Sequence, residues 1–123
     1  MVVDTSILLA IFFGETHAEW AVDRLEEYRG QTVMSTVNLA ETLIILRDRQ
    51  PARFAELENR VLSGGIRFAP PDAEQARNAA AARLRYPWNL GDCFAYALAR
   101  AEGCGILTLD LDFRSVDVRV HLP

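Results

Sequence analysis

The chain opens with the stretch MVVDTSILLAIF, residues 1–12, and this stretch decides the fold. Val2 and Val3 are apolar and β-branched, so they predict a short strand buried on both faces. Three polar residues follow, Asp4 to Ser6, and the apolar residues after them suit a helix. A strand that turns directly into a helix leaves Asp4 at the strand's carboxyl tip, where open parallel sheets bind ligands. The same three polar residues are equally consistent with a simple helix cap.

The composition indicates a single globular domain spanning residues 1–123. Apolar residues make up 50% of the chain and charged residues 24%, which is ordinary for a folded globular protein. No apolar run approaches the ~20 residues that cross a bilayer, so we expect no membrane association. The first apolar stretch lacks a basic leader and is interrupted by Asp4, so it does not resemble a secretory signal. We therefore expect a cytoplasmic protein.

The charge balance narrows the classes of partner. The formal net charge is −4, and all 13 basic residues are arginines. An acidic chain is not expected to bind nucleic acid through its overall charge, although a nuclease with an acidic active site is not excluded. Four of the arginines are close in sequence: Arg47, Arg49, Arg53 and Arg60. They are consistent with a solvated helix face or with a local basic patch.

Cysteine and histidine are too scarce to support several common sites. Cys93 and Cys104 do not have the spacing of a metal motif and are expected to be small core residues. His17 and His121 are far apart, with no accompanying ligand or nucleophile motif. The sequence therefore argues against a histidine-ligated metal and against a Ser-His-Asp triad.

Strand and helix signals alternate along the rest of the chain. After Val2 and Val3, the expected strands are Gln31–Ser35, Ile66–Ala69 and Ile106–Leu109, with an edge strand at Val118–Leu122. The expected helices are Ile7–Phe13, Thr16–Tyr28, Thr36–Arg49, one from Pro51 to Gly64, one capped by Asp72 and reaching Leu84, and one from Asn89 to Gly103. This order predicts an α/β fold, a three-layer α/β/α sandwich with a mainly parallel central sheet. Right-handed crossovers then place the carboxyl ends of the strands along one edge.

Acidic residues follow the predicted strands or begin the helices at that edge. They are Asp4, Glu41, Asp92, Asp110 and Asp112. Two carboxylates about 5 Å apart repel each other by roughly 3 kcal/mol at an effective dielectric constant of 20, and a divalent cation relieves that repulsion. Oxygen-only ligation suits Mg²⁺ or Mn²⁺. With no glycine-rich phosphate loop in the chain, the set points to metal-assisted hydrolysis of a phosphodiester.

Each acid also has a structural explanation. Asn38 and Glu41 have the spacing of a helix capping box, which would place Glu41 in the first turn of its helix. Asn89 and Asp92 have the same spacing, and acids are favoured in first turns by the helix dipole. Asp110 is also a common residue type in turns. These explanations are reasonable one by one, but they do not account for several acids meeting at one edge.

At these residues the chain resembles PIN-domain ribonucleases, and more narrowly the VapC-type toxins of bacterial type II toxin–antitoxin modules. The resemblance rests on VDTS at 3–6, VNLAE at 37–41, GDCFAYALA at 91–99 and TLDLDF at 108–113. It covers essentially the whole chain, and the stretch NLGDC before an alanine-rich helix is its most specific part.

The resemblance implies a Mg²⁺-dependent endoribonuclease, with Mn²⁺ a possible substitute, that forms a homodimer and is inhibited by a cognate VapB-type antitoxin. Asp4 and Asp92 match the principal metal ligands of the family, and Glu41 matches the acid that completes the site and orients or deprotonates water. The fourth acid is Asp110 or Asp112, with Asp110 preferred because it is nearer the strand tip. Polar neighbours that can hold waters or carboxylates are Thr5, Ser6, Asn89 and Thr108.

Two other functions remain open at this stage. An aspartyl-phosphate phosphatase would use Asp4 as nucleophile, but Ser6 stands where a second acid is usual and the chain has no lysine. The other alternative is a non-catalytic PIN-like binding module.

Two surface features also remain ambiguous. Ile45, Phe54 and Leu57 lie beside arginines and would suit either an antitoxin groove or ordinary core packing. Trp88 precedes Asp92 and could stack on a base or pack in the core.

Overall fold

The centre of the fold is one parallel sheet. The computed structural model describes residues 1–123 apart from the side chain of Ser115. In the described residues the strands are β1 (Val2–Val3), β2 (Val33–Ser35), β3 (Arg67–Ala69), β4 (Ile106–Leu107) and β5 (Val120–His121). They lie in the order β3-β2-β1-β4-β5, and every neighbouring pair is parallel. All the carboxyl ends therefore lie along one edge, with β1 in the middle.

Helices cover both faces of this sheet. Over the described residues they are α1 (Thr5–Phe13), α2 (Ala18–Glu27), α3 (Thr36–Arg49), α4 (Phe54–Ser63), α5 (Ala73–Arg85) and α6 (Leu90–Glu102). Two short 3-10 helices, Pro51–Arg53 and Leu111–Ser115, precede α4 and follow β4. No helix among the described residues is long and apolar enough to cross a bilayer.

Alternation along the strands divides the core into two layers. Neighbouring strand residues point to opposite faces, and the buried pairs that do so are Val2/Val3, Val33/Met34 and Ile106/Leu107. The first residue of each pair packs against α5 and α6, and the second packs against α1 to α4. The predicted three-layer sandwich is therefore confirmed, and its mainly parallel sheet is parallel throughout.

Side-chain hydrogen bonds cap the starts of three helices, α3, α5 and α6. The side chain of Asp72 accepts a hydrogen bond from the Gln75 N–H at 2.8 Å and caps α5 as expected. The expected capping box at Asn38 is wrong, because α3 already begins at Thr36 and Asn38 lies inside the helix. Ser35 caps it by accepting from the Val37 N–H at 3.2 Å.

The ends of several elements differ from the sequence-based expectation. The strands are shorter, and the C-terminal edge strand is limited to Val120–His121. The helix expected from Pro51 begins as the 3-10 helix Pro51–Arg53, where proline at its start is tolerated. The turn expected after β4 is the 3-10 helix capped by Asp110. These differences leave the carboxyl edge and its acids in place.

Candidate active site

Acidic residues from four separate segments meet at the carboxyl edge of the sheet. Asp4 follows β1 directly, and Asp110 comes three residues after β4. Glu41 lies in the second turn of α3, and Asp92 lies in the first turn of α6. The parallel sheet brings these segments together because β1 lies between β2 and β4.

Asp4 is nearly inaccessible to solvent and is held by two hydroxyl groups. Its residue is 3% exposed. Its Oδ2 accepts hydrogen bonds from Ser6 Oγ at 2.8 Å and from Thr108 Oγ1 at 2.9 Å. Burial raises the pKa of Asp4 and the negative charge of Glu41 adds to that rise, while the two hydroxyls oppose it. Asp4 is therefore a buried carboxylate whose Oδ2 accepts hydrogen bonds from two neighbouring hydroxyl groups.

The direction of those two hydroxyl hydrogen bonds is set by the backbone. Ser6 Oγ accepts from the Leu109 N–H at 3.0 Å, and Thr108 Oγ1 accepts from the Asp110 N–H at 2.9 Å. Because each hydroxyl oxygen already accepts a hydrogen bond, its own proton is available to donate to Asp4. The network also connects α1 to the segment after β4 that carries Asp110.

Asp92 is held by a capping box at the start of α6. Its N–H donates to Asn89 Oδ1 at 2.9 Å, and its Oδ2 accepts from the Asn89 N–H at 3.2 Å. Burial, together with the charges of Asp4, Asp110 and Glu41, raises the pKa of Asp92 from 3.8 to about 7. The Asn89 hydrogen bond only partly opposes that rise. The four acids therefore act on one another electrostatically.

Glu41 reaches this group from α3, and its carboxylate lies against Gly91. A Cβ atom at Gly91 would be 2.6 Å from Glu41 Oε2. The Gly91 carbonyl accepts a hydrogen bond from Asn38 Nδ2 at 3.0 Å. Asn38 is wholly buried in α3. Because it donates to Gly91, its side chain connects α3 to α6 and does not cap a helix.

The two candidate acids after β4 differ in position. Asp110 is half-buried and contributes to the raised pKa of Asp92, whereas Asp112 is exposed and is not among the charges that do so. The Asp112 N–H donates to Asp110 Oδ1 at 2.9 Å, so Asp112 helps to fix the Asp110 side chain. This arrangement favours Asp110 as the fourth acid.

Comparison with known proteins assigns the family. The model of the PIN domain family matches residues 1–119. Ribonuclease VapC42 of Mycobacterium tuberculosis is 36% identical over 128 residues, covering 97% of this chain and 97% of the relative. The chain belongs to the VapC ribonucleases of the PIN-domain family.

Solved structures agree with this fold. VapC20 of Mycobacterium tuberculosis, described as a Sarcin-Ricin loop cleaving toxin, superposes with a TM-score of 0.77 at 25% identity. The match covers 96% of this VapC-family chain and 98% of VapC20. VapBC2 from Rickettsia felis, bound to a DNA fragment from its promoter, gives a TM-score of 0.80 at 15% identity, covering 98% and 96% of the two chains. At that low identity the second match shows the fold alone.

The donor chemistry of this VapC site fits a divalent cation, on which PIN-domain ribonucleases generally depend. Every candidate ligand is a carboxylate oxygen, the type that hard cations prefer. In the part of the chain that the structure describes, however, no three histidine, cysteine or acidic side chains are arranged to hold an ion. Local contacts fix these carboxylates individually: two hydroxyl groups donate to Asp4, Asn89 donates to Asp92, and Glu41 lies against Gly91.

The polar residues near the acids make two kinds of contact: some donate to a carboxylate, and one contacts Asn38. Ser6 and Thr108 hold Asp4, and Asn89 holds Asp92, as the sequence suggested. Thr5 instead contacts Asn38, whose Nδ2 donates to Thr5 Oγ1 at 3.3 Å. Sequence reasoning missed Asn38 as part of the site. The available signal was a polar residue three positions before Glu41, on the same face of α3.

Trp88 is a core residue, so base stacking by its ring is wrong. Its ring is 1% exposed and lies between Tyr86, with ring centroids 4.2 Å apart, and Phe113, with centroids 4.8 Å apart. Its indole N–H donates to the carbonyl oxygen of Asp112 at 3.2 Å. Trp88 thereby fastens the acidic turn after β4 to the start of α6.

The residues considered for an antitoxin groove differ in burial. Leu57 is wholly buried, so it does not line a groove, whereas Ile45 and Phe54 are half-buried. The arginines near them are exposed, which agrees with a solvated face: Arg47, Arg49, Arg53 and Arg60. Three of these arginines lie over phenylalanine rings: Arg47 on Phe54, Arg49 on Phe13 and Arg60 on Phe12. Cys93 is buried and Cys104 half-buried, both as free thiols.

Proposed function

We propose that this VapC-family ribonuclease hydrolyses RNA phosphodiester bonds at the carboxyl-edge acids, as the toxin of a toxin–antitoxin pair. We assign the site to Asp4, Glu41, Asp92 and Asp110, with Mg²⁺ as the cation and Mn²⁺ as a substitute. Asp112 has a positioning role in this proposal, because its backbone N–H contacts Asp110.

One observation carries the proposal: Asp4, Glu41, Asp92 and Asp110, which are remote in sequence, meet at the carboxyl edge of the sheet, where the charges of the other three raise the pKa of Asp92. A fold tolerates such mutual repulsion at a cost, and perturbed acids of this kind cluster at functional sites. Helix capping explains Asp92 by itself, but it does not explain why Asp4, Glu41 and Asp110 lie near enough to act on it.

The chain's own residues prepare the site for a metal-assisted hydrolysis. Ser6 and Thr108 orient the carboxylate of Asp4, and Asn89 orients that of Asp92, so both can serve as ligands. When bound, a divalent cation supplies charge neutralisation at the phosphoryl oxygens and a lowered pKa for the attacking water. Glu41 is the acid assigned to orient or deprotonate that water.

Protonation of Asp92 competes with its use as a ligand. With a pKa of about 7, Asp92 carries a proton for part of the time at neutral pH. Ligation requires the ionised form, so the proton must leave before Asp92 acts as a ligand.

The partner proposals follow from the relatives. Solved structures of this fold include VapBC2 from Rickettsia felis, and we propose a cognate VapB-type antitoxin for this chain. We also propose a homodimer that acts on cytoplasmic RNA, with residues 1–123 as one domain.

The test is cleavage of an end-labelled RNA by the purified chain, with Mg²⁺ and with EDTA. We expect cleavage only with the cation, and a loss of more than about hundredfold in kcat for Asp4→Asn and for Asp92→Asn, beyond the loss expected for residues that merely support a ligand. Asp48→Asn is the matched control, because Asp48 is exposed near the carboxyl end of α3, away from the site. It should cleave like the unaltered chain.

Two results would contradict the proposal. Cleavage that persists in EDTA and in both site variants would exclude these acids as a metal site. A folded chain that binds antitoxin but cleaves no RNA under any cation would instead indicate a non-catalytic module.

A further inference from the structure

The contact between α3 and α6 places the carboxylate of Glu41 in the space that a side chain at residue 91 would fill. A Cβ atom on Gly91 would lie 2.6 Å from Glu41 Oε2 and 2.8 Å from Oε1. Contacts shorter than 3.0 Å are essentially never observed for a Cβ atom, so Glu41 can keep this position only beside glycine.

The helix itself has no need of glycine there. Gly91 lies in the first turn of α6 with ordinary negative φ, unlike Gly103 at the end of the same helix, where φ is 64°. Glycine inside a helix costs about 0.5–1 kcal/mol relative to alanine. Gly91 is therefore explained by the neighbouring carboxylate and not by the backbone of α6.

A second contact from the same face of α3 holds this turn in place. Asn38, three residues before Glu41, is wholly buried, and its Nδ2 donates to the Gly91 carbonyl at 3.0 Å. In the described residues no donor reaches Asn38 Oδ1. Leaving a buried amide oxygen unpaired costs about 1–3 kcal/mol, so Asn38 is a poor choice for stability alone.

We propose that Gly91 and Asn38 are positioning residues that set where Glu41 stands relative to Asp92. The hydrogen bond from Asn38 fixes the position of the first turn of α6 relative to α3. Because Gly91 has no side chain, the Glu41 carboxylate can occupy the space beside it, next to the residue that precedes Asp92. This rests on the proposed function, in which Glu41 and Asp92 share one site.

Gly91→Ala is the decisive variant, because its effects on folding and on the site have opposite directions. Alanine favours the helix, and the crowded atoms are at the end of a flexible side chain, so the thermal midpoint should stay equal or rise. Glu41 must move, and we expect kcat to fall roughly ten- to hundredfold. Binding of Mn²⁺, measured by calorimetry on the full chain, should weaken about tenfold.

A double-variant cycle identifies Glu41 as the residue through which Gly91 acts. Glu41→Asp shortens the side chain by one methylene group and makes room for a Cβ atom at residue 91. In that background Gly91→Ala should change kcat by less than about twofold. An equal loss in both backgrounds would overturn the proposal.

Asn38→Leu and Thr42→Val form the matched pair for the second contact. Thr42 is also buried in α3, and its hydroxyl donates to the Asn38 backbone carbonyl at 2.8 Å; in the described residues it makes no hydrogen bond to Gly91. We expect Asn38→Leu to lower kcat about tenfold with little change in KM, while Thr42→Val keeps the original kcat. Equal losses in the two variants would show that Asn38 is merely structural.

These outcomes are separate from the failure of the proposed function. If the unaltered chain cleaves no RNA, the proposed function fails, and Mn²⁺ calorimetry and a crystal structure of the Gly91→Ala chain still test the positioning. A Glu41 carboxylate that keeps the same place in that crystal structure would overturn the inference, and a displacement of about 1 Å or more would support it.

Discussion

Replacing Asp92 with asparagine should stabilise the folded chain at neutral and alkaline pH. The fold raises the pKa of Asp92 from 3.8 to about 7, first through burial and then through the charges of Asp4, Asp110 and Glu41. At pH values between these two pKa values the folded state binds more protons than the unfolded state. The free energy of unfolding therefore falls as the pH rises through that range. The loss of stability is complete and constant once the pH is about one unit above 7.

The size of the effect follows from the shift. A rise from 3.8 to about 7 corresponds to about 4 kcal/mol at 1.36 kcal/mol per pH unit. Asp92 lies at the edge of the sheet, where solvent screens part of the interaction, so we take about 2 kcal/mol. Asparagine keeps an oxygen that can accept from the Asn89 N–H. Asp92→Asn should therefore be about 2 kcal/mol more stable near pH 8 and nearly equal near pH 4.

Urea unfolding in EDTA at the two pH values measures this difference. Asp48→Asn serves as the control, and as an exposed substitution it should stay within about 0.5 kcal/mol of the unaltered chain. Adding Mg²⁺ should reverse the order near pH 8, because a ligand that binds only the folded state stabilises the chain that binds it better. The reasoning is refuted if Asp92→Asn is no more stable near pH 8, or if its advantage is the same near pH 4.

Other expected outcomes test the supporting contacts. Thr108→Val removes one donor to Asp4 at nearly constant volume, and kcat/KM for RNA cleavage should fall about tenfold. Asn89→Ala removes the cap of α6 and should lower the free energy of unfolding by about 1 kcal/mol in urea titrations. Leu46→Ala empties a wholly buried position in α3 and should cost about 2–5 kcal/mol, measured in the same way. A change below about 0.5 kcal/mol in either stability measurement would contradict the corresponding contact.

The parts of the fold that could be predicted depend on local rules. Val2 and Val3 predicted a buried strand, and a parallel sheet then required Asp4 to stand at its carboxyl edge. The capping box of Asn89 and Asp92 was also readable, because both partners lie within one helical turn. The grouping of the acids followed from the order of strands and helices.

Other features could not be predicted, because two residues were possible caps of the same helix or because the contacting residues are far apart in sequence. The spacing of Asn38 and Glu41 matches a capping box, but Ser35 begins α3 earlier and leaves Asn38 inside the helix. Its true partner, Gly91, is 53 residues away, so no local pattern could reveal the contact. Burial of Trp88 likewise depends on rings contributed by other segments.

The enclosed indole of Trp88 gives the chain an intrinsic fluorescent reporter for its acidic turn. It is hydrogen-bonded to the carbonyl of Asp112 and packed on Phe113, so its emission depends on how that turn is seated. Trp20, in the helix α2, is half-buried and lies in the opposite core layer. In a Trp20→Phe chain, all tryptophan emission would come from Trp88. Cation or antitoxin titrations could then be followed without any attached dye.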